Sequence, residues 1–264
     1  MMSSDSLGLT PVMQEFFNAV ENLNADPASQ AARQVVIDSA ESLAERFHTQ
    51  YSQMSGLGEE VNDRIRSDVA DINAIANSLA QINEEIVASK GKSQGKPPND
   101  LLDQRDKLVL DLSTYINVSA VEQDSGQMDV YIGNGINLVI GNQSTTLTTT
   151  PNAFDPSKLE VAMTTSGGPQ TIDSLISGGS LGGVMDFRRE ALDSLGSELG
   201  RIAITMSTAI NNQHAMGVDL YGDAGLDIFD TGEVSVLKQE SNTGNAALDV
   251  TIDDPSALRN SGYQ

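Results

Sequence analysis

Residues 37–86 read IDSAESLAERFHTQYSQMSGLGEEVNDRIRSDVADINAIANSLAQINEEI. Steps of alternately three and four residues along this stretch select a row that is apolar or amphipathic at all but two positions. The row consists of Ile37, Ala40, Ala44, Phe47, Tyr51, Met54, Gly58, Val61, Ile65, Asp68, Ile72, Ile75, Leu79, Ile82 and Ile86. A mean step of about 3.5 residues, held over so many turns, is typical of a coiled-coil seam. The stretch therefore predicts one long helix, about 75 Å in length at its usual rise per residue.

Two positions of the row depart from the apolar pattern. Gly58, with Gly56 beside it, predicts a weak point at which the helix kinks or splits, because glycine lowers helix stability. Asp68 either fixes the register of the seam or lies where a partner helix has ended. The second interpretation is favoured.

Three further helices are indicated around this one. The first carries apolar residues at helical spacing between Val12 and Leu23, and another carries them between Leu101 and Leu112. A long returning helix begins near Leu181 and has a second near-heptad row. We predict that it packs against the long helix, in a structural seam formed by Ile65, Ile72, Ile75, Leu79 and Ile82 on one side and Leu195, Leu199, Ile202 and Met206 on the other.

The sequence between these helices changes its period. Residues 116–121, 128–132 and 136–140 alternate in polarity around tight-turn residues, which is typical of short antiparallel strands. Residues 144–150 and 159–163 are two more candidate strands, and 234–237 and 247–252 are strand-like pieces near the end.

These elements predict an α+β fold that is mainly α. It is expected to be an elongated antiparallel helical bundle with long coiled-coil-like helices and a small inserted antiparallel β module. The low aromatic share of 4% favours such a thin bundle over a thick globular core. The expected domains are the first part of a helical rod (1–117), the β module (118–180), the returning helix (181–217), and a loop with the start of a further, truncated β-rich domain (218–264).

Composition excludes several classes of function. The chain has 264 residues, 15 of them basic and 37 acidic, and a net charge of −22. Such a surface repels phosphate backbones and anionic membranes, so neither nucleic acid nor membrane insertion is expected. The charge indicates solubility first and a basic partner second. There are no cysteines, hence no disulfides or thiolate chemistry, and the first six residues do not resemble a signal peptide.

No catalytic, cofactor-binding or metal site is predicted. His48 and His214 are isolated on predicted helices, and no phosphate-binding loop, nucleophile elbow or zinc-protease motif is present. The Asp- and Gly-rich residues 219–227 lack the ligand order of a calcium loop, and turn formation explains them more simply. A solvated helix face with near-neighbour ion pairs is the favoured interpretation of Asp103, Arg105 and Asp106, and contacts between subunits are the alternative.

Two stretches resemble a known family. The first is PPNDLLDQRDKL at 97–108, followed by GQMDVYIGNG at 126–135. The second is LGGVMDFRRE at 181–190, followed by INNQH at 210–214 and GVDL at 217–220. In combination they resemble the helix, hairpin and returning helix of the family of bacterial flagellar hook-associated protein 1, and the resemblance extends from about Leu7 over nearly the whole chain.

The resemblance implies a structural, non-catalytic component of the flagellum that joins hook to filament as a ring of identical subunits. It also implies type III export without a cleaved signal, an extracellular location on the flagellum, and a role in motility. The implied partners are the hook protein, the next junction protein and copies of the chain itself, with no cofactor. The family's terminal coiled-coil segments, which line the flagellar axis, are not recognised here, so a central fragment is expected.

Two alternatives stay open at this point. Another secreted coiled-coil protein, such as a flagellin-like subunit, a cap protein or a phage tail component, would share the helical pattern. A cation-dependent adhesin or hydrolase would instead use the acidic residues 219–227.

Overall fold

The computed structural model describes residues 8–92, 98–219, 221–232, 236, 242–244, 250–252, 254 and 257–258. Five α-helices are formed: α1 (Leu9–Ala25), α2 (Gln30–Lys92), α3 (Asn99–Ser113), α4 (Gly179–Asp186) and α5 (Asp193–Ala215). Seven strands lie between α3 and α4: β1 (Val118–Glu122), β2 (Met128–Ile132), β3 (Ile136–Ile140), β4 (Gln143–Ser144), β5 (Leu147–Pro151), β6 (Leu159–Thr165) and β7 (Gly168–Thr171). The predicted class, mainly helical with small antiparallel sheets and one long helix, is confirmed.

The strands form two antiparallel sheets in sequence order. One has the order β1-β2-β3-β4, and the other has the order β5-β6-β7. The β1–β2 register sets Val118 opposite Ile132 and Glu122 opposite Met128. The five candidate strands between 116 and 163 are all present, whereas the short strands β4 and β7 were not predicted. The strand-like pieces at 234–237 and 247–252 lie mostly outside the described residues.

The chain divides into two compact units, which are described separately. The first unit contains Met1–Leu57, Leu192–Val236 and Asn245–Gln264. Its core is small and brings α1 together with the first part of α2 through Phe16, Ala19, Val36, Ala40 and Leu43. Phe229, beyond α5, packs edge-on against Phe16 with ring centroids 5.8 Å apart.

The second unit contains Gly58–Ala191 and Leu237–Gly244. Its core is larger, and one face of α2 from Val61 to Ala80 lies in it. The buried residues that meet this face come from α3, both sheets and α4, and include Leu112, Val130, Leu138, Val161, Leu181 and Met185. The second part of α2 is therefore the helix against which both sheets pack.

The heptad row does not follow the buried face along the whole of α2. Ile65 and Ile72 are fully buried, but Ile37 is 51% exposed and Tyr51 is 68% exposed. An α-helix has about 3.6 residues per turn, so a strict 3.5-residue row rotates around it by about 20° in each heptad. Four heptads separate Ile65 from Ile37, and the row has by then turned about 80° away from the buried face.

The returning helix is interrupted. A π-turn, Phe187–Leu192, separates α4 from α5 where the sequence predicted one continuous helix. The wider turn shifts the helical register, and the predicted row is not buried throughout: Met185 and Leu199 are buried, whereas Leu195 is 45% exposed. By contrast, α2 is one helix through Gly56 and Gly58, so the expected split is absent there. Within the described part of the chain, no helix has the length and apolar character needed to cross a membrane.

Candidate functional site

Three asparagines of α2 bind the backbone of the strands. Asn62 donates from Nδ2 to the Ser157 carbonyl at 2.7 Å, and its Oδ1 accepts the Leu159 N–H at 3.0 Å. Asn73 makes the same pair of bonds to Leu147, at 2.8 and 2.9 Å. Each side-chain amide thus replaces one backbone partner that a neighbouring strand would otherwise supply.

Asn83 is the most deeply buried member of this asparagine row (Asn62, Asn73 and Asn83). It is fully buried, donates to the carbonyls of Met128 (2.8 Å) and Gly141 (2.6 Å), and accepts the Met128 N–H at 2.9 Å. Spacings of 11 and 10 residues are close to three helical turns, so the row lies along one side of α2. Sequence reasoning missed the row because asparagine on an amphipathic helix is normally a surface residue.

Two arginines are buried beside the sheets. Arg105 of α3 is 4% exposed, donates from Nη1 to the Gly126 carbonyl at 2.9 Å, and pairs with Asp106 at 2.8 Å and Glu122 at 3.6 Å. The near-neighbour pair with Asp106 is confirmed, but the interpretation of Arg105 as part of a solvated face is wrong. The guanidinium instead holds the β1–β2 turn against α3, and a buried charge of this kind is costly to leave unpaired.

Arg188 has a comparable role in the π-turn. Its guanidinium donates to the Leu159 carbonyl and lies 3.2 Å from Asp173 Oδ2, while Asp173 Oδ1 accepts the Val161 N–H at 2.9 Å. Burial raises the pKa of the Asp173 carboxyl, and the bonds to Val161 and Arg188 act in the opposite direction. The π-turn is thereby tied to strand β6.

A glycine-rich turn joins α3, α4 and α2. The first N–H groups of α4, from Ser180 and Leu181, donate to the carbonyls of Thr114 and Tyr115 just beyond α3, each at 2.9 Å. Donors and acceptors that helix ends normally leave unpaired thus satisfy one another. Gly179 lies directly against the Tyr115 backbone in this turn.

Asp68 of α2 lies at the same turn. It is fully buried, and its Oδ2 accepts the Ser180 hydroxyl at 2.7 Å. Its Oδ1 lies 3.0 Å from Arg64 Nε, but that pair lacks hydrogen-bond geometry. Asp68 thus lies beside the first turn of α4, bound to Ser180. Its two interpretations, fixing the register of the seam or lying where a partner helix has ended, stay predictions.

Tyr115 is expected to lose its proton at a higher pH than a free tyrosine, because a carboxylate lies beside it. The charge of Asp71, followed by burial and a hydrogen bond to Asp71, raises the pKa of Tyr115 above its ordinary 10.0. The neutral phenol therefore contributes stability that is fully present below pH 10 and is lost as pH rises through the raised value. Asp71→Asn is expected to lower the pKa of Tyr115, which the phenolate absorbance in an alkaline titration measures. Asp63→Asn, an exposed carboxylate paired with Arg66 on the same helix, is the control and should leave the titration unchanged.

The predicted seam residues fall in different surroundings. Ile65, Ile72 and Leu79 are fully buried in the second unit, where the strands are partners that the sequence did not predict. Ile75 packs on the edge of that core, and Ile82 is half-buried. In the first unit, Leu199 is buried, Ile202 and Met206 are half-buried, and Leu195 is exposed. The predicted pairing of one set with the other stays a prediction.

Leu79→Ala is expected to lower the free energy of unfolding by about 2–5 kcal/mol, because a fully buried leucine leaves a cavity. Val87→Ala on the same helix, at a site that is 42% exposed, should cost less than about 1 kcal/mol. Denaturant titration measures both.

A double-mutant cycle of Leu79→Ala with Leu199→Ala tests the predicted seam. Side chains in contact couple by about 0.5–3 kcal/mol, and distant ones do not.

The end of α5 holds the loop that follows it. Asn211 donates to the Phe229 carbonyl at 2.7 Å and accepts the N–H groups of Ile228 and Phe229 at 3.0 Å. His214 Nδ1 bonds the Leu226 carbonyl at 2.5 Å. Asp219 accepts the N–H groups of Tyr221 and Asp223, and these bonds lower the pKa of its carboxyl. The acidic stretch is thus a hydrogen-bonded turn, as its composition suggested.

One groove of the first unit has a histidine at its side. His48 is exposed at the side of a groove of about 410 Å³ in the first unit, whose other lining residues, such as Leu43, Phe47 and Leu199, are mainly apolar. Among the residues whose placement is described, no three His, Asp or Glu side chains are grouped to hold a metal ion. The polar contacts described above instead hold the two sheets and the turn before α4 against helix α2.

Comparison with known proteins identifies the chain's relatives. Residues 1–229 match the model of the family described as "Flagellar hook-associated protein FlgK helical domain". Flagellar hook-associated protein 1 of Escherichia coli strain K12 is 35% identical over all of this chain and 49% of its own length. The protein of the same name from Salmonella typhimurium strain LT2 is 35% identical, over 96% of this chain and 45% of its own.

One solved structure agrees over almost the same extent. The flagellar hook junction protein FlgK from Burkholderia pseudomallei is 32% identical and matches 96% of this chain with a TM-score of 0.88, over 46% of its own chain. The chain thus spans about half the length of the relatives it matches. Since the family model covers most of the sequence and the fold agrees with a solved relative, this chain belongs to the family of the FlgK helical domain of flagellar hook-associated proteins.

Proposed function

We propose that the protein to which this chain belongs is a structural component of the flagellum that joins hook to filament as a ring of identical subunits. The observation that carries the proposal is the extent of the match to a flagellar hook junction protein, 96% of the chain at a TM-score of 0.88. A match of that extent includes both units of the chain rather than one shared motif.

The use of its polar side chains supports a structural, non-catalytic role. The asparagine row, Arg105 and Arg188 are directed at backbone carbonyls and N–H groups, so their hydrogen-bonding capacity maintains the fold. Catalytic groups, in contrast, are typically titratable or nucleophilic side chains gathered in a pocket, often with perturbed pKa values. We therefore infer that the protein performs no catalysis.

The partners that we propose are the hook protein, the next junction protein and further copies of this chain, on the extracellular flagellum. The net charge of −22 supports partners with basic surfaces, and it opposes nucleic acid or anionic lipid as ligands.

We also propose the four-part division at residues 117, 180 and 217, which is supported by the start of β1 at Val118 and the end of α5 at Ala215.

Removal of the gene from the bacterium that encodes it tests the proposal. Cells are expected to build hooks without attached filaments, visible by electron microscopy, and to lose swimming. Restoration of the intact gene is the control and should return both. Normal filaments on cells that lack the protein would refute the joining role.

A further inference from the structure

The middle of α2 is the least supported part of that helix. No α2 side chain between Leu43 and Val61 is buried, although the helix is continuous there. The core of the first unit reaches Phe47, and the core of the second begins at Val61. Met54 and Leu57 are half-buried, and Met54 lies beside Gly196 of α5. Helical stability in proteins comes mainly from packing of one face, so these turns, which have no fully buried side chain, depend more on intrinsic helix propensity than the turns in the two cores.

That propensity is low at two positions in this segment. Gly56 and Gly58 each lower helix stability relative to alanine, because glycine loses more backbone freedom on folding. At Gly56 an added methyl group would meet nothing within 4 Å. Packing therefore does not require this glycine, and another reason for its presence is needed.

The position along the chain provides that reason. The chain passes from the first unit to the second between Leu57 and Gly58. Another such passage, between Ala191 and Leu192, falls within the π-turn. Two passages between the units thus coincide with irregular or weakened helix, and π-turns occur frequently at functional positions.

We propose that residues 54–58 form a weak turn of α2, which opens and closes locally while both buried cores stay formed. The opening breaks backbone hydrogen bonds of one or two helical turns and exposes no core side chain. It gives the long helix a built-in conformational joint, and the proposal does not depend on the flagellar function.

Hydrogen–deuterium exchange of the folded chain tests the weak turn. In the unmodified protein, amides of residues 57–62 should exchange at least about tenfold faster than those of residues 65–72, which open only with the core. Gly56→Ala is expected to slow exchange at residues 57–62 by about fivefold, since it restores the propensity of one helical residue. Exchange at residues 65–72 should not change.

Gly200→Ala is the matched control, because Gly200 lies in α5 and its added methyl group also meets nothing within 4 Å. It should leave exchange at residues 57–62 as in the unmodified protein. Equal exchange rates in the two α2 segments of the unmodified protein would overturn the proposal. So would a Gly56→Ala variant whose exchange slows equally along all of α2, since that reports global stability.

Discussion

Gly179→Ala is expected to lower the free energy of unfolding by at least about 3 kcal/mol. Gly179 has a φ of +61°, in the left-handed region that favours glycine. A methyl group there would overlap the carbonyl carbon of Tyr115 and the nitrogen of Ile116. That backbone cannot easily move aside, because the Tyr115 carbonyl accepts the Leu181 N–H and Ile116 is fully buried.

Gly183→Ala in the same helix is the control for that result. Its added methyl group meets nothing within 4 Å, and alanine favours the helix, so the variant should be unchanged or more stable by up to about 1 kcal/mol. Thermal and denaturant unfolding measure both variants. Similar stabilities for the two would contradict the tight turn between α3 and α4.

The elements of this fold were largely predictable because local patterns and tertiary packing agree. Strands β2 and β3 have the bounds that their alternation indicated, with the glycines of residues 133–135 at the turn between them. The long helix was visible because one face must stay apolar for many turns. The rotation of this apolar row away from the buried face of the helix was not predicted. An apolar row with a 3.5-residue period does not show where the elements that pack against the helix end.

The contacts that hold the sheets to α2 were not predictable in the same way. Asn73 and Asn77 lie four residues apart and look alike in sequence, yet Asn73 binds both backbone groups of Leu147 and Asn77 accepts only a Ser144 hydroxyl. The returning helix was predicted to begin near Leu181, whereas α4 begins at Gly179. Both depend on partners more than 60 residues away in sequence, which local propensity does not describe.

The burial of individual arginines was equally hard to predict from the sequence. Arg105 and Arg188 belong to a chain with 15 basic residues, and no feature of their spacing separates them from exposed arginines such as Arg66. Their burial follows from carbonyl groups at Gly126 and Leu159 that face the helices. The family resemblance did include both arginines, in the stretches at 97–108 and 181–190, although it did not assign them these bonds.

Asn83→Ala is expected to lower the free energy of unfolding by about 3–5 kcal/mol, although asparagine contributes little to a hydrophobic core. The substitution removes three hydrogen bonds at once and leaves the Met128 N–H, the Met128 carbonyl and the Gly141 carbonyl without this partner. Asn83 is fully buried, so water cannot replace the amide without entering the interface. An unsatisfied buried group typically costs about 1–3 kcal/mol, and the expected loss follows from several such groups.

Asn77→Ala is the matched control, since Asn77 is exposed on the same helix and makes one bond, to the Ser144 hydroxyl at 2.5 Å. It should cost less than about 0.5 kcal/mol. Urea titrations followed by circular dichroism compare the two variants under one condition. If Asn83→Ala costs no more than Asn77→Ala, the asparagine row only accompanies the packing of the sheets. A large difference would mean that these amides help to set the position of the strands along α2, because an apolar face alone would also accept a strand shifted along the helix.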